Sequence, residues 1–311
     1  MKIKTKTQAK TKFIAFLLAS IMLFSLIMFT ACSDDSKAVS DLTKDREGNS
    51  INLPASIEKI ASIGPSNTVI LTALGLGDKI IAIDTYASHI EGIKSDLPQF
   101  DMMALDAEQM VSLMPDVVFV TGMTKVGGED TYAPVKMAGI CVIYIPASDS
   151  IQGIKNDIQY IADVMNVTSK GKDIVKNMEK EINDIKKISD KITDKKSVYF
   201  DMFMYSFGSG VFLNEMIELI GATNILSSYT GWMSVTDEIV VSANPDVIFT
   251  STNFIDDPIG EVKARPGWDS ITAVKNNDVY YIDSNDSNQP THNIIKALKE
   301  MAKAVYPDLY K

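Results

Sequence analysis

One segment of this 311-residue chain occurs twice, 130 positions apart, and it decides the fold. The first copy is EQMVSLMPDVVFV at 108–120, and the second is EIVVSANPDVIFT at 238–250. Each copy predicts a short helix that ends at a proline and is followed by an apolar run of strand length. Because the run has no polar alternation, it indicates a strand buried on both faces, as in a parallel sheet. The duplication therefore predicts two lobes of the same α/β design.

Strand and helix patterns alternate around both copies. Helices are predicted over 66–74 and 213–220, and each is followed by a glycine, which can adopt the left-handed conformation that ends a helix. Further strands are predicted over 59–63, 80–83, 142–145, 198–200 and 279–282. This order predicts an α/β protein with two Rossmann-like lobes, an N-terminal lobe over 42–165 and a C-terminal lobe over 196–311.

A long amphipathic segment separates the two lobes. Isoleucine and methionine recur at helical spacing from Ile151 to Met165 and again from Ile174 to Ile192, opposite a charged face. We expect a helix over 169–193, within an interlobe segment over 166–195. A continuous helix is stiffer than a glycine- or serine-rich linker, so the lobes should move little around a ligand cleft between them.

The N-terminus is typical of an export signal. Five lysines between Lys2 and Lys12 precede an apolar run over 13–30, and Ala31 and Cys32 follow. The junction resembles the lipobox at which bacterial signal peptides are cut and the new N-terminal cysteine is acylated, although Phe29 stands where that pattern prefers leucine. We expect a signal peptide over 1–31, a lipidated Cys32 and a polar tether over 32–41, with attachment to the outer face of the cell membrane. The alternative is an uncleaved anchor helix, since 18 apolar residues can span a bilayer.

Composition excludes several classes of protein. The apolar fraction of 46% and the charged fraction of 23% are those of an ordinary globular chain. The net charge is −10, and removal of 1–31 with its five lysines makes it −15, so nucleic acid is not an expected partner. Two cysteines, Cys32 and Cys141, exclude a disulfide scaffold and a cysteine-built metal cluster. We expect no resident cofactor or metal.

In order and spacing, the motifs of the mature chain are similar to those of the substrate-binding lipoproteins of ABC importers for ferric siderophores, haem or cobalamin. The motifs are DREG at 45–48 with LP at 53–54, IASIGPSNT at 60–68, the helix over 69–76, both repeats, RPGW at 265–268, AVK at 273–275 and VY at 279–280. The resemblance implies a monomer that holds a bulky metal chelate, an iron or cobalt complex, between two lobes joined by one backbone helix. It also implies delivery to a permease dimer with its ATPase.

The repeats place a glutamate at the same point of each lobe. Asp106 and Thr236 are potential N-caps before Glu108 and Glu238, so each glutamate lies in the first turn of a helix, where the helix dipole favours a carboxylate. Helix stabilisation alone is one interpretation. In the family that the chain resembles, one glutamate on each lobe meets arginines of the two permease subunits, and Glu108 and Glu238 match those positions.

Ligand contacts are expected on loops at the carboxyl ends of the strands, where an open α/β sheet forms a crevice. The loops are 64–68, 84–89, 121–125, 201–210, 229–233, 251–256 and 283–288. The predicted ligand-binding residues are Ser66, Asn67, Tyr86, His89, Met123, Lys125, Met204, Tyr205, Trp232 and Arg265. Trp232 and Tyr86 also resemble aromatic ligand contacts of the cobalamin binders. The alternative for each aromatic side chain is core packing.

The sequence gives less support to two other functions, binding of a bare metal ion and enzymatic catalysis. A bare transition-metal ion requires three or four His or carboxylate ligands, but His89 and His292 are the two histidines, and His292 is expected at the surface in the first turn of a helix over 291–305. An enzyme, such as a surface-anchored hydrolase, would need a nucleophile motif. The chain has no Gly-x-Ser-x-Gly string, no Walker A lysine motif and no Gly-x-Gly-x-x-Gly string, so we expect no enzyme activity.

Overall fold

A computed structural model describes residues 42–125 and 130–310, except for the side chains of Met123 and Lys125. The predicted signal peptide, Cys32 and the predicted tether up to residue 41 lie outside the described residues. Within the described residues no helix is both long enough and apolar enough to span a bilayer.

The N-terminal sheet has five parallel strands. They are β1 (Ile60–Ile63), β2 (Ile80–Asp84), β3 (Gln99–Phe100), β4 (Val117–Thr121) and β5 (Cys141–Ile145), in the spatial order β3-β2-β1-β4-β5. Helices α1 (Pro65–Ala73), α2 (Ala107–Ser112) and α3 (Ala133–Met137) connect them. Strand β4 is buried along its whole length, because it lies inside the sheet and both of its faces are covered.

Two helices follow the N-terminal sheet. Helix α4 (Ile151–Val164) begins at Ser150, whose hydroxyl accepts a hydrogen bond from the Gly153 backbone, and helix α5 (Thr168–Ser189) continues after a short turn. The interlobe helix predicted over 169–193 is therefore present, but it ends four residues earlier.

The C-terminal sheet repeats the design with four parallel strands. Strands β6 (Ser197–Asp201), β8 (Thr223–Asn224), β10 (Val247–Thr250) and β11 (Val279–Tyr281) lie in the order β11-β10-β6-β8. Its helices are α6 (Phe212–Leu219), α7 (Asp237–Ala243), α8 (Pro258–Ala264), α9 (Thr272–Asn276), α10 (Ser284–Ser287) and α11 (Ile294–Val305). The two-lobe α/β fold is confirmed.

One short antiparallel sheet was not predicted. Strands β7 (Tyr205–Phe207) and β9 (Trp232–Ser234) pair with each other in segments expected to be loops. Phe207 is fully buried beneath Trp232, with ring centroids 5.7 Å apart. The pairing satisfies the backbone of two segments that leave the main sheet.

The equivalent aspartates of the two repeats explain why Pro-Asp precedes each strand. The Asp116 carboxylate accepts hydrogen bonds from the backbone amides of Glu58 and Lys59 at 2.8 Å, at the start of β1. The Asp246 carboxylate accepts a bond from the Ser197 amide at 2.8 Å, at the start of β6. Each repeat therefore fixes the register of its strand against the neighbouring strand of the same sheet.

A single hydrophobic core extends through both lobes on the side of the connecting helices. It includes Ile70 of α1, Ile158 of α4, Ile185 of α5, Leu213 of α6 and Leu298 of α11. Separate smaller cores cover the other face of each sheet. Since sliding the lobes apart would expose part of the shared core, large lobe movements are unfavourable.

Candidate functional site

A cavity of about 590 Å³ lies where the carboxyl ends of strands from the two sheets face each other. Its N-terminal lining comes from Pro65 and the segment after β2, and its C-terminal lining from the segments after β6, β10 and β11. The lining residues are Pro65, Thr85, Tyr86, Ser88, His89, Met202, Ser251, Thr252, Asn253, Phe254, Ser284, Asn285, Asn288 and Gln289. The expected cleft between the lobes is thus present, with contributions from both.

The N-terminal wall is shaped by a buried aspartate. Asp84 ends β2, and its carboxylate accepts hydrogen bonds from the amides of Tyr86 at 2.9 Å and Met102 at 3.2 Å. Burial raises the pKa of Asp84 above its usual value. The turn that Asp84 holds leaves the Tyr86 ring 68% exposed, beside an exposed His89. The wall therefore offers an aromatic face and an imidazole.

Neutral hydrogen-bonding groups dominate the C-terminal wall. The Asn288 amide donates to the Ser251 hydroxyl at 3.0 Å, and the Asn253 amide donates to the Ser284 hydroxyl at 2.9 Å. These bonds join the segments after β10 and β11 and fix the amides before any ligand arrives. Among the described lining residues there is no lysine, arginine, aspartate or glutamate.

An apolar rim continues from this wall over the C-terminal lobe. Phe254, which lines the cavity, is 70% exposed, and its ring meets that of Phe203 nearly at a right angle with centroids 5.2 Å apart. Tyr205 and Trp232 are also exposed on strands β7 and β9. Exposed aromatic groups beside a cavity are suited to stacking on a flat ligand.

Two of the predicted ligand-binding residues, Tyr86 and His89, line the cavity. Ser66, Asn67, Met204, Tyr205, Trp232 and Arg265 are not among its lining residues, and the side chains of Met123 and Lys125 lie outside the described part of the chain. Asn67 is buried in the first turn of α1, and neither atom of its amide has a hydrogen-bond partner among the described residues.

The predicted ligand-binding residues do not include the polar side chains that build the C-terminal wall. Ser251, Asn253, Ser284 and Asn288 were not singled out, although all four lie in predicted loops. Their position in the sequence could have identified them, because short polar side chains cluster directly after two apolar strands.

Arg265, one of the predicted ligand-binding residues, is held in a buried ion pair and does not line the cavity. Its side chain is 7% exposed, and its guanidinium forms two bonds to Asp201, at 2.7 and 3.0 Å, and two to Glu261. It also lies over the buried Trp268 ring, 4.6 Å from the centroid. The arginine therefore joins β6, α8 and the turn after α8.

The prediction of a surface position for His292 is wrong. Helix α11 begins at Ile294, after the predicted start, and His292 lies half-buried before it. Its Nδ1 has no hydrogen-bond partner among the described residues. Burial, together with the positive charge of Lys296, lowers the pKa of this imidazole.

Glu108 and Glu238 occupy the same place in the two lobes. Both are exposed in the first turn of their helices, α2 and α7. The Asp106 carboxylate caps α2 as expected, by accepting from the Gln109 amide at 2.9 Å. Thr236 stands at the N-cap of α7 without such a bond. The Glu238 carboxylate accepts hydrogen bonds from its own backbone amide and from the Thr236 hydroxyl, and these two bonds lower its pKa. Neither glutamate is in an ion pair with a described lysine or arginine.

Within residues 42–125 and 130–310, no group of three His, Cys, Asp or Glu side chains is placed to hold an ion. Cys141 is partly buried at the start of β5, and burial raises the pKa of its thiol to about 11.

The chain is similar in sequence and in structure to solute-binding proteins. The sequence model of the family described as "Periplasmic binding protein" matches residues 60–285. The ABC transporter substrate-binding lipoprotein YvrC of Bacillus subtilis (strain 168), itself described as uncharacterized, is 30% identical over 307 residues, which cover 93% of this chain and 96% of that one. The vitamin B12-binding protein of Vibrio parahaemolyticus is 22% identical over 251 residues, covering 79% of this chain and 89% of that one.

A solved structure shows the same architecture. A possible iron-binding, periplasmic solute-binding protein of Staphylococcus epidermidis superposes with a TM-score of 0.71 at 27% identity, covering 81% of this chain and 99% of that one. All of these relatives are solute-binding proteins rather than enzymes.

Proposed function

The chain belongs to the periplasmic binding protein family, as an ABC transporter substrate-binding protein of the iron, haem and B12 type, and from that premise we propose that it is an extracytoplasmic lipoprotein that captures a cobalt or iron chelate. A corrinoid such as cobalamin is the ligand class that the cavity favours. The protein would deliver the chelate to a permease dimer driven by its ATPase.

The observation that carries this proposal is the absence of Lys, Arg, Asp and Glu from the described lining residues of the cavity. Buried anionic groups need charged partners, because an unpaired charge is costly to remove from water. No described lining residue is a lysine or an arginine, whereas serine, threonine, asparagine and glutamine side chains are abundant. Such a wall suits a ligand with peripheral amides more than one with several carboxylates or catecholates. His89 and Tyr86, on the opposite wall, offer an axial nitrogen and a stacking face.

The capture step needs little rearrangement. The amides of Asn253 and Asn288 are already held by Ser284 and Ser251, so little side-chain entropy remains to be lost on binding. Glu215 of α6, which does not line the cavity, accepts a hydrogen bond from the Ile151 amide at the start of α4, at 2.9 Å. This bond and the shared core limit closure to a small movement.

Delivery would use the two equivalent glutamates. An exposed carboxylate on each lobe provides one contact for each subunit of a two-subunit permease, and complementary charge favours both register and association rate. Cys32 would hold the protein at the membrane, since more than one acyl chain is needed for stable anchoring.

Absorbance titration tests the proposed ligand. Purified protein is scanned from 300 to 700 nm while cyanocobalamin, hemin or ferrichrome is added, and bound and free chelate are separated by gel filtration. We expect one saturable 1:1 complex, tightest with cyanocobalamin. Tight binding of hemin or ferrichrome alone would exclude the corrinoid assignment, and absence of binding with all three would exclude capture of a bulky chelate.

The mature N-terminus needs a separate measurement. Mass spectrometry of protein extracted from membranes should show an acylated Cys32 as the first residue. A chain that retains residues 1–31 would instead support the uncleaved anchor helix.

A further inference from the structure

Residues Met202 to Tyr205 form a two-residue turn between β6 and β7. The Met202 amide donates to the Tyr205 carbonyl at 2.9 Å, and the Tyr205 amide donates to the Met202 carbonyl at 3.4 Å. The central residues Phe203 and Met204 have φ values of 55° and 67°. Positive φ at both central positions is the mark of a type I′ turn, which strongly favours Asn-Gly or Gly-Gly. Two bulky apolar residues are the opposite of that preference.

Elsewhere the described chain fills left-handed positions with residues that tolerate them. Most are glycines, and three others are asparagines, Asn166, Asn244 and Asn277. Beyond the turn, Met114 is the remaining described exception, and it occupies the position in the first repeat that Asn244 occupies in the second. Strained conformations of this kind concentrate at functional sites, where the surrounding structure holds them in place.

Hydrogen bonds hold the turn from both sides. The Asp201 carboxylate accepts from the Phe203 amide at 3.3 Å, and the Met204 carbonyl accepts from the Val235 amide at 3.0 Å. The Ser206 hydroxyl donates to the Phe200 carbonyl at 2.7 Å. The turn is therefore a fixed feature of the C-terminal lobe.

The two strained residues are poorly placed to stabilise the fold. Phe203 is 47% exposed and Met204 is 37% exposed. The Phe203 ring packs edge-on against Phe254, which lines the cavity, and the preceding residue Met202 lines it as well. The turn therefore extends the cavity with an apolar surface that is open to solvent.

We propose that the Phe203–Met204 turn is a preformed contact for the flat, conjugated face of the captured chelate, kept at the cavity rim at the expense of folding stability. Aromatic and thioether groups suit such a face, because the ring stacks and the sulfur adapts to an irregular outline. This inference rests on the proposed function, since it assumes that the cavity takes a large metal chelate.

The test replaces the turn with the sequence that its backbone prefers. The double variant Phe203→Asn/Met204→Gly removes both apolar side chains and relieves the left-handed strain. We expect it to bind the chelate that the wild type binds tightest about tenfold more weakly, which is the loss of ~1.4 kcal/mol. The melting temperature of the ligand-free protein should rise by about 2–4 °C or more.

Two further variants separate strain from contact. Met114→Asn relieves the same kind of strain on the other lobe, so it should raise the melting temperature and leave chelate affinity unchanged. Phe254→Leu keeps the turn but removes the partner ring, so it should weaken binding with no gain in melting temperature.

The outcomes distinguish this inference from the proposed function. If the wild type binds cyanocobalamin, hemin or ferrichrome and the double variant binds it equally well, the turn is not a ligand contact, and the proposed function stands. A double variant that melts at or below the wild-type temperature overturns the claim that the turn costs stability. A wild type that binds none of the three chelates overturns the proposed function, and this inference with it.

Discussion

Arg265 and Asp201 form a buried ion pair across 64 positions of sequence, with Nη1 2.7 Å from Oδ1 and Nη2 3.0 Å from Oδ2. Asp201 is fully buried at the end of β6, and its second oxygen also accepts from the Phe203 amide. The arginine thereby fixes the end of the strand from which the Met202–Tyr205 turn departs. Its role is in positioning the C-terminal wall rather than in neutralising a ligand.

Loss of Arg265 should therefore destabilise the fold strongly. Arg265→Ala leaves the Asp201 carboxylate buried and unpaired, which typically costs about 3–5 kcal/mol. Denaturant unfolding of the ligand-free protein measures the change. Glu261→Gln is the matched control, because Glu261 is partly exposed and its loss leaves the Asp201 pair intact, so we expect an effect below about 1 kcal/mol. Equal effects of the two variants would contradict the assignment.

Asp116 and Asp246, the equivalent aspartates of the two repeats, should contribute equally to the free energy of unfolding. Asp116→Ala removes the acceptor for two backbone amides at the start of β1, and Asp246→Ala removes the acceptor for the Ser197 amide and hydroxyl at the start of β6. Hydrogen bonds to charged groups contribute about 1.5–3 kcal/mol when well shielded. Because both carboxylates are partly exposed, we expect losses of about 1–2 kcal/mol in the free energy of unfolding. Asp308→Ala, at an exposed position near the C-terminus, is the control and should be neutral. If only one of the two variants lost unfolding free energy, the aspartates would not have the same role in both lobes.

The parts of the fold that sequence predicts are those set by local pattern. The buried strands β4 and β10 and the prolines before them follow from the repeat, and the long helix α5 follows from its isoleucine spacing. The start of β7, and with it the sheet of β7 and β9, could not be predicted, because the turn before β7 contains Phe203 and Met204 where turn chemistry would place Asn and Gly. A strained turn lacks the residues by which turns are recognised.

The site was less predictable than the fold, because its residues acquire their roles from distant partners. Arg265 was predicted to contact the ligand, since nothing in the sequence near it points to Asp201. Asn253 and Asn288 are distant in the sequence, and they lie in the same wall of the cavity because strands β10 and β11 are neighbours in the sheet. The position of the wall at the carboxyl ends of the strands was predictable, but its composition was not.

Reversing the charges of Glu108 and Glu238 should prevent docking to the permease and leave capture of the chelate unchanged. Glu108→Lys/Glu238→Lys removes both exposed carboxylates, so the wild-type complementarity to a permease would become repulsion. We expect loss of chelate-stimulated ATPase activity of the importer, with chelate affinity of the isolated protein unchanged. Neither side chain lines the cavity, so affinity is an independent readout.

The control for docking keeps the same change in net charge. Asp173→Lys/Asp308→Lys alters two exposed acids, one on the connecting helix α5 and one near the C-terminus. This variant should stimulate the ATPase as the wild type does. If both double variants stimulate the ATPase equally, Glu108 and Glu238 do not dock to the permease and only stabilise their helices.

His292 should make the fold sensitive to mild acid. Burial and the Lys296 charge lower the pKa of the folded-state imidazole below its usual value. As the pH falls toward that usual value, the unfolded chain therefore binds more protons than the folded chain. Unfolding then becomes more favourable, and stability falls as the pH decreases from about 7 until the folded state is also protonated. His292→Gln removes the titrating group, so the difference in unfolding free energy between variant and wild type should shift in favour of the variant between pH 8 and pH 5. Denaturant unfolding at several pH values measures this difference. Parallel stability curves over that range would show that His292 does not contribute to the acid sensitivity.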